Sequence, residues 1–377
     1  MKKSTRITIA VILGLSLVLL LFVVFGSKSQ SASAQDAGNG SSDDGDGKAS
    51  KAMASSAAPG TPDWLELPQG KRDMEGCHIV THRAHMNGTL QRNYTLCYDQ
   101  DLYAALWVAY PLCSAHTSKG REETWGYDPQ LSKDIQTNVR SGYGVSVPTA
   151  NYPKNFYARG HQIPNADRSA VPEMQAQTYF STNMTPQIQH GFNGGIWAKL
   201  EEAVRSAVPP EDTLYVVTGA LFPQGDERCT VRTIVNKNDS KTLPVPESYW
   251  KALLKVERGS DGVVEARTIG FLLPHEDLKG HSYAEFTVTV DDIEKLTGLD
   301  LFAGLPDPIE TVSETASDWI SFKKYLAARF STTFQPAGTS FTQFWIFIPA
   351  ISTAVVVPYP TYCTSIGPPR YILPNIK

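Results

Sequence analysis

The sequence predicts an α+β fold with a mostly antiparallel central sheet flanked by helices. Strand-like runs of apolar and β-branched residues dominate from residue 77 onward, and Asn87-Gly88, a dipeptide typical of a tight hairpin turn, joins the first two. Helical patterns interleave with the later strands without the regular spacing of βαβ units, and no internal repeat is present. This order favours an α+β fold over a doubly wound parallel sheet.

Length and composition indicate a globular protein without a general basic field. The 377 residues are 41% hydrophobic, which is enough for one large domain or two ordinary ones. The 34 basic and 38 acidic residues give a formal net charge of −4. The whole surface therefore does not attract nucleic acid or an anionic membrane, and any anion site must be local.

The N-terminal residues 1–34 have the pattern of an export signal. Basic residues precede an apolar run over residues 7–26, and the small triplet Ala32-Ser33-Ala34 predicts cleavage before Gln35. The apolar run is about as long as a bilayer-spanning helix, so the alternative is an N-terminal membrane anchor. In either case we expect the rest of the chain outside the cytoplasm: periplasmic, secreted, or membrane-anchored and facing outward.

Composition divides the remaining chain into three parts. Residues 35–61 are mostly Ser, Ala, Gly and Asp, which predicts a flexible low-complexity linker. We expect the folded domain over residues 62–322. Residues 323–377 form an apolar C-terminal tail, uncharged from 331 to 369, to which the sequence assigns no role. Its prolines favour a β-rich appendage or a poorly folded extension over a second membrane span.

Five cysteines suit an oxidising compartment, and without a CxxC spacing they do not indicate zinc. Counting outward from Asn87-Gly88 sets Cys77 opposite Tyr98, one residue from Cys97, so that a bulge could pair the two cysteines. The sequence leaves the pairing open.

Each element of the predicted domain has its own signal. Strands are expected at 77–85, 90–98 and 104–112, and a helix at 194–207, where Ile196, Leu200 and Val204 share a face. Further strands are expected at 213–222 and 264–274, while 245–258 begins as a short helix or a strand. A capping box of Asp291 and Glu294 predicts the start of a last helix, and Gly298 predicts its end.

The stretch YARGHQIPNADR, residues 157–168, carries the first group of chemically active residues. Alternation along a strand puts Arg159 and His161 on the same side, so both can face one ligand. In a second block, residues 179–202, Asn193 stands at the start of the predicted helix and Glu201 lies two turns later. The two are within about 80° around a regular helix axis and can border one site.

These residue types point to phosphodiester hydrolysis. The sequence has no HExxH or GxSxG motif, so zinc proteolysis and the serine-hydrolase elbow have no support. An amide oxygen and a carboxylate are ligands that Mg²⁺ accepts while it keeps most of its waters. A histidine can take a proton from water near neutral pH, and arginine prefers phosphate.

At these positions the sequence resembles the sugar-nonspecific DNA/RNA endonucleases of the ββα-metal (His-Me finger) fold. The family pattern Asp-Arg-Gly-His, then Asn-x-x-Pro-Gln, then Asn-x-x-x-Trp-x-x-x-Glu is matched in order by residues 158–161, 183–187 and 193–201. WVAY, WGYDP, PVPESYWKALL and DDIEKLTGLDLFAGLPD are also similar to this family, and the resemblance covers roughly residues 64–320.

The resemblance implies a role for each matching residue. His161 would be the general base for the attacking water, Asn193 the one direct protein ligand of Mg²⁺, for which Mn²⁺ is a substitute, and Glu201 would hold a metal-bound water. Asn183 would help to orient His161 or the site, and Arg159 would stabilise charge on the phosphate. Arg121, in the loop before the motif, is the candidate for a further arginine.

The implied activity is sugar-nonspecific cleavage of DNA and RNA to 5′-phosphate products. One departure from the family pattern is Ala158, which stands where the pattern has aspartate. It puts rate and metal preference in question more than the type of reaction. With the unusual tail, it also motivates an alternative from another class, a catalytically silent nuclease-fold envelope protein that binds nucleic acid or a protein partner. Oligomeric state is not indicated.

Overall fold

A seven-stranded antiparallel sheet is the framework of the described part of the chain. The structure is a computed structural model and describes residues 64–70, 77–143, 156–208, 212–223, 232–259 and 262–327. Its strands are β1 (Cys77–Met86), β2 (Thr89–Asp99), β3 (Ala104–Leu112), β4 (Tyr157–His161), β5 (Met184–Ile188), β6 (Leu214–Leu221), β7 (Thr233–Val235), β8 (Thr242–Pro244), β9 (Ser248–Gly259), β10 (Gly262–Pro274) and β11 (Thr287–Val288). The order in the large sheet is β1-β2-β3-β6-β9-β10-β11, and β4-β5 and β7-β8 form two small sheets. The predicted fold class is confirmed.

Helices lie between and after these strands. The α-helices are α1 (Pro172–Gln177), α2 (Ala198–Ala207), α3 (Val290–Thr297), α4 (Asp307–Ser313) and α5 (Trp319–Ala327). An irregular helical segment, Gln189–Trp197, precedes α2. Single 3₁₀ turns occur at Ser114–His116, Lys133–Ile135, Asn165–Asp167, Ser181–Asn183 and Tyr283–Phe286.

The predicted hairpin forms, but its register differs by one residue from the count made on the sequence. Asn87 and Gly88 both have positive φ angles, 52° and 77°, as a tight two-residue turn of this type requires. A bulge between His82 and Arg83 then shifts the pairing, so that Cys77 lies opposite Asp99. Within the described residues Cys77 and Cys113 carry free thiols. Cys229 and Cys363 lie outside the described residues.

The large sheet is covered on both faces. Along β3, Val108 and Tyr110 point into one apolar core, which also contains Leu200 and Val204 of α2. Trp107 and Ala109, which alternate with them along the strand, belong to the opposite core with residues of α3 and the loop that follows it. Burial on both faces explains why the central strands are almost continuously apolar.

The structure decides one open alternative and corrects two local predictions. Residues 245–258, left open as helix or strand, form most of β9. The helix predicted from residue 194 begins at Ala198, because Gly195 has the non-helical angles φ −125° and ψ −111°. The capping residue of α3 is Thr289 and its partner is Asp292, although Gly298 ends the helix in the left-handed conformation as predicted.

The C-terminal part of the described chain packs on the main core. Trp319, Phe322 and Leu326 of α5 all belong to it, so the predicted domain end at residue 322 falls inside this helix. Residues 1–34, the linker 35–61 and residues 328–377 lie outside the described residues. In the described residues, no helix has both the length and the apolar character needed to cross a bilayer.

Candidate active site at the β4–β5 hairpin

Two short strands and the helical segment after them carry most of the predicted site residues. β4 pairs antiparallel with β5, with Arg159 opposite Pro186 and His161 opposite Met184, and the chain then continues through Gln189–Trp197 into α2. Gly160 is required here, because a Cβ atom at this position would lie 2.2 Å from the side chain of Gln187. Ala158 lies opposite Gln187 in the same small sheet.

The side chains of Arg159 and His161 both pack against the indole ring of Trp125. The Arg159 guanidinium carbon lies 3.5 Å from the centroid of the indole ring, and the His161 ring centroid lies 5.6 Å from it. Tyr179 packs edge-on against Trp125 at 4.7 Å and against His161 at 5.4 Å. Arg159 and His161 therefore share one side of β4, as strand alternation predicts.

The two arginines of the site are held by different partners. Arg159 donates from Nη1 to the carbonyl oxygens of Val139, at 3.1 Å, and Arg140, at 3.0 Å. Arg121 is more exposed and pairs with Glu123 at 3.1 Å, while its guanidinium lies 5.7 Å from the Tyr179 ring centroid. Both positive charges act on the His161 ring, so the structure places Arg121 in the neighbourhood that the sequence predicted.

His161 is half-buried, and its Nε2 atom is enclosed without a hydrogen-bond partner among the described residues. Burial lowers the pKa of His161 to about 3, and the charges of Arg121 and Arg159 contribute, while a hydrogen bond with the Arg159 backbone opposes the shift. The imidazole is therefore neutral at physiological pH, and one of its two ring nitrogens carries a free lone pair.

Asn183 is buried, and its side chain makes hydrogen bonds with backbone groups. Its Oδ1 accepts from the Ile163 N–H at 2.9 Å, and its Nδ2 donates to the carbonyls of Ile163, at 3.0 Å, and Thr178, at 2.8 Å. Ile163 follows His161 by two residues, so Asn183 fixes the chain where it leaves β4. This geometry makes Asn183 a positioning residue.

Asn193 lies in the irregular segment before α2, and the break at Gly195 separates it from the regular helix that carries Glu201. The angle of about 80° expected for one continuous helix therefore does not apply. Asn193 Nδ2 donates to Gln189 Oε1 at 3.0 Å. Its Oδ1 has no hydrogen bond with a described residue and is the atom left for a ligand.

Glu201 belongs to a buried group of polar and charged side chains, which we call the Asp167 cluster. Its members are Tyr110, Asp167, Glu201, Arg205 and Lys251. Asp167 accepts from Tyr110 Oη at 2.9 Å and from Arg205. Burial raises the pKa of Glu201 to about 7, although the positive charge of Lys251 opposes that rise. Lys251 is 1% exposed, and its Nζ makes no hydrogen bond with a described residue and lies 5.0 Å from the Trp197 ring centroid.

The donor atoms fit a hard divalent cation. Asn193 offers an amide oxygen without a hydrogen bond, and Glu201 offers a carboxylate whose negative charge is unfavourable where it is buried. Mg²⁺ takes one or two such oxygen ligands and keeps several waters. Among the described residues no hydrogen bond links Asn193 or Glu201 to His161.

Sequence reasoning missed several residues of this region. Trp125 and Tyr179 were not assigned to the site, although Trp125 stands in the WGYDP block that resembles the family. The buried position of Lys251 could not be predicted from the sequence, because a lysine in an apolar strand is equally consistent with an exposed position on an edge strand. His82 of β1 is also buried, and its Nε2 donates to Asp128 Oδ2 at 2.9 Å.

Comparisons with known proteins point to one family. The family model of the DNA/RNA non-specific endonucleases matches residues 81–308. A protein named "Nuclease" from Serratia marcescens is 31% identical over 219 residues, which cover 58% of this chain and 75% of that protein. One of the same name from a Nostoc species is 28% identical over 234 residues, covering 61% and 78%.

A solved structure titled "Crystal structure of the EndoG/EndoGI complex: Mechanism of EndoG inhibition" aligns with a TM-score of 0.47 and 20% identity. The alignment covers 61% of this chain and 89% of that chain.

Proposed function

The chain belongs to the DNA/RNA non-specific endonuclease family, and from that membership we propose that it is an exported, Mg²⁺-dependent nuclease that hydrolyses phosphodiester bonds in both DNA and RNA. The observation that carries the mechanism is the enclosed Nε2 atom of His161, which has no hydrogen-bond partner among the described residues and lies near two arginines. A base and two cations at one place suit attack of water on a phosphate.

His161 is the general base of this proposal. In this proposal the ring proton is on Nδ1, and the lone pair of the unpartnered Nε2 takes the proton of the attacking water. The water oxygen then bonds to phosphorus while the bond from phosphorus to the 3′ oxygen breaks, and the 3′ oxygen takes a proton from solvent water. The products carry a 5′-phosphate and a 3′-hydroxyl.

Arg159 and Arg121 supply positive charge for the substrate phosphate. Arg159 is fixed by stacking on Trp125 and by two carbonyl acceptors, so little reorganisation is needed when the phosphate binds. Arg121 is more exposed and pairs with Glu123, from which a phosphate can draw it. Arginine suits this role because its planar N–H groups match phosphate oxygens.

Asn193 and Glu201 would hold Mg²⁺, Asn193 directly through Oδ1 and Glu201 through a metal-bound water, with Mn²⁺ as a substitute. The ion supplies charge neutralisation at the phosphate and at the leaving 3′ oxygen. Lys251 and the rest of the Asp167 cluster orient Glu201 from behind. Ala158 removes a carboxylate from this neighbourhood, which we expect to affect rate and metal preference while the base and the metal ligands remain.

The proposed substrate interaction is electrostatic and independent of sequence. The net charge of −4 offers no general attraction, so the local arginines provide the attraction, and binding should weaken steeply with salt. Export is proposed from residues 1–34, as a cleaved signal or as an anchor over residues 7–26.

The testing experiment measures cleavage of supercoiled plasmid and of RNA by the purified full chain, with Mg²⁺ and with EDTA, next to the His161→Ala variant. We expect both polymers to be degraded with Mg²⁺ only, and the variant to be nearly inactive. A folded protein that cleaves neither polymer with any divalent ion would contradict the proposal and support the silent envelope-protein alternative.

A further inference from the structure

Three carboxylates meet where α3 begins and α4 ends, on the side of the sheet covered by α3. We call Asp291, Glu294 and Glu314 the α3–α4 acidic cluster. One oxygen of each carboxylate lies within 4.8 Å of the others. The backbone fixes this junction, because the Val290 N–H donates to the Glu314 carbonyl at 3.1 Å.

Glu314 is the unusual member of the cluster. The residue is only 5% exposed, and its Oε1 atom is buried without a hydrogen-bond partner among the described residues. A buried carboxylate oxygen without a donor is costly in a folded protein, so it needs either a proton or a cation. Glu314 also follows the C-terminus of α4, where the helix dipole disfavours negative charge.

The surroundings of Glu314 increase this cost. The charges that act most strongly on it come from Glu294, Glu310, Asp291 and Asp300, all of them carboxylates. Burial first, and then these charges, raise the pKa of Glu314 to about 9. Burial likewise raises the pKa of Glu294 to about 7, even though its Oε1 accepts from the Leu301 N–H at 2.6 Å.

We propose that Asp291, Glu294 and Glu314 bind a divalent cation, Ca²⁺ in preference to Mg²⁺, that ties α3 to the end of α4. The ligands are all hard oxygens, which both ions accept. The three carboxylate oxygens lie within 4.8 Å of one another. Three protein carboxylates at one place suit Ca²⁺ better, because Mg²⁺ is usually held by only one or two carboxylates and keeps several waters.

This site differs from the proposed nuclease site in its residues and its elements. It uses α3 and the residue after α4, whereas Asn193 and Glu201 lie before and in α2. Its ion would stabilise the fold and take no part in hydrolysis. Because the ion and protons compete for the same oxygens, binding should release protons.

The test is calorimetric titration of CaCl₂ and, separately, MgCl₂ into the full chain carrying Asn193→Ala, which removes the proposed catalytic metal ligand. We expect one Ca²⁺ per chain, weaker binding of Mg²⁺, and a rise in Tm of about 5 °C at saturating Ca²⁺. Adding Glu314→Gln should weaken Ca²⁺ binding at least tenfold and abolish the rise in Tm.

Two further variants keep the result decisive. Asp291→Asn removes a half-buried ligand and should also weaken Ca²⁺ binding at least tenfold. This variant provides the test if the Glu314 variant does not fold. Glu276→Gln, an exposed change of the same charge, should leave binding unaltered. No Ca²⁺ binding by the Asn193→Ala chain, or equal affinity with and without Glu314→Gln and Asp291→Asn, would overturn the proposal. None of these results depends on cleavage of nucleic acid.

Discussion

The guanidinium of Arg159 lies over Trp125, with its central carbon 3.5 Å from the centroid of the indole. The indole N–H donates in turn to Glu123 at 2.7 Å, and Glu123 pairs with Arg121. One aromatic ring thus connects both arginines of the proposed site. His161 rests against the same ring, so the base and the phosphate-binding charges share one support.

Replacing Trp125 by Leu should lower kcat/KM about 5- to 30-fold. The reason is that Arg159 loses a cation–π contact of about 1–2 kcal/mol and no longer holds one orientation. Trp125→Phe, which keeps a ring, should recover part of the loss. Trp64→Leu is a matched control elsewhere in the fold. It removes the contact between Trp64 and Arg92, whose guanidinium carbon lies 4.2 Å from the ring centroid. An equal loss in both leucine variants would show that only general stability is involved.

Replacing His161 by Ala should reduce turnover by about 10²–10⁴-fold, because the base for the attacking water is lost. The change should leave thermal stability nearly unchanged, since Nε2 makes no hydrogen bond with a described residue. Initial rates on plasmid and a melting curve measure both effects. His281→Ala, on an exposed histidine paired with Glu285, serves as the control. A large drop in Tm with a modest drop in rate would identify His161 as a structural residue.

Replacing Asn193 by Ala should raise the Mg²⁺ concentration needed for half-maximal activity, because an amide oxygen is lost from the metal. Gln189→Ala should raise it less. Gln189 only accepts from Asn193 Nδ2 and so restrains the amide without contributing to the metal site. The measurement is a Mg²⁺ titration of plasmid cleavage for the three proteins. Coinciding titration curves would remove Asn193 from the metal.

Replacing Lys251 by Met should destabilise the protein by about 1–3 kcal/mol at pH 8, because Glu201 loses the cation that most lowers its pKa and must either stay ionised without it or take up a proton. The double variant with Glu201→Gln should regain part of that stability but remain poorly active. Chemical denaturation and plasmid cleavage separate the two effects. Lys255→Met is the control, because Lys255 lies on the same strand but pairs with Asp212 at 2.8 Å. Recovery of activity in the double variant would contradict a role for Glu201.

His275 should make the folded state lose stability in acid. Its Nε2 accepts from the Ile188 N–H and its Nδ1 donates to the Pro246 carbonyl, both at 2.8 Å, and burial lowers its pKa to about 3. Between pH 6.5 and about 3 the unfolded chain binds a proton at this residue that the folded chain does not. Its contribution to the free energy of unfolding is therefore complete above pH 6.5 and decreases as pH falls.

The check compares denaturation of the wild type and of His275→Gln across this range. The deficit of the variant should shrink by about 1.4 kcal/mol per pH unit as the pH falls below 6.5. A deficit independent of pH would show that His275 titrates at its ordinary pKa in the folded protein. An NMR titration of the imidazole provides the direct measurement.

Local signals explain how much of the fold was predictable. Asn87-Gly88 has an intrinsic preference for positive φ, so the hairpin could be placed to the residue. The bulge at His82 and Arg83 could not be placed, because it arises where His82 turns inward to Asp128, which is 46 residues away in the sequence. A single extra residue in the pairing then moved Cys77 from Tyr98 to Asp99.

The sequence by itself determined the strand-rich α+β class, the order of the motif blocks, and Arg159 and His161 on one side of a strand, because these follow from period and spacing along the chain. Only the tertiary structure decided that Trp125 supports both residues, that Asn183 serves the backbone, and that Glu201 faces Lys251. The physical reason is that burial and charge pairing depend on segments far apart in the chain. The residue pattern of one segment does not show which distant side chains will bury that segment or neutralise its charges.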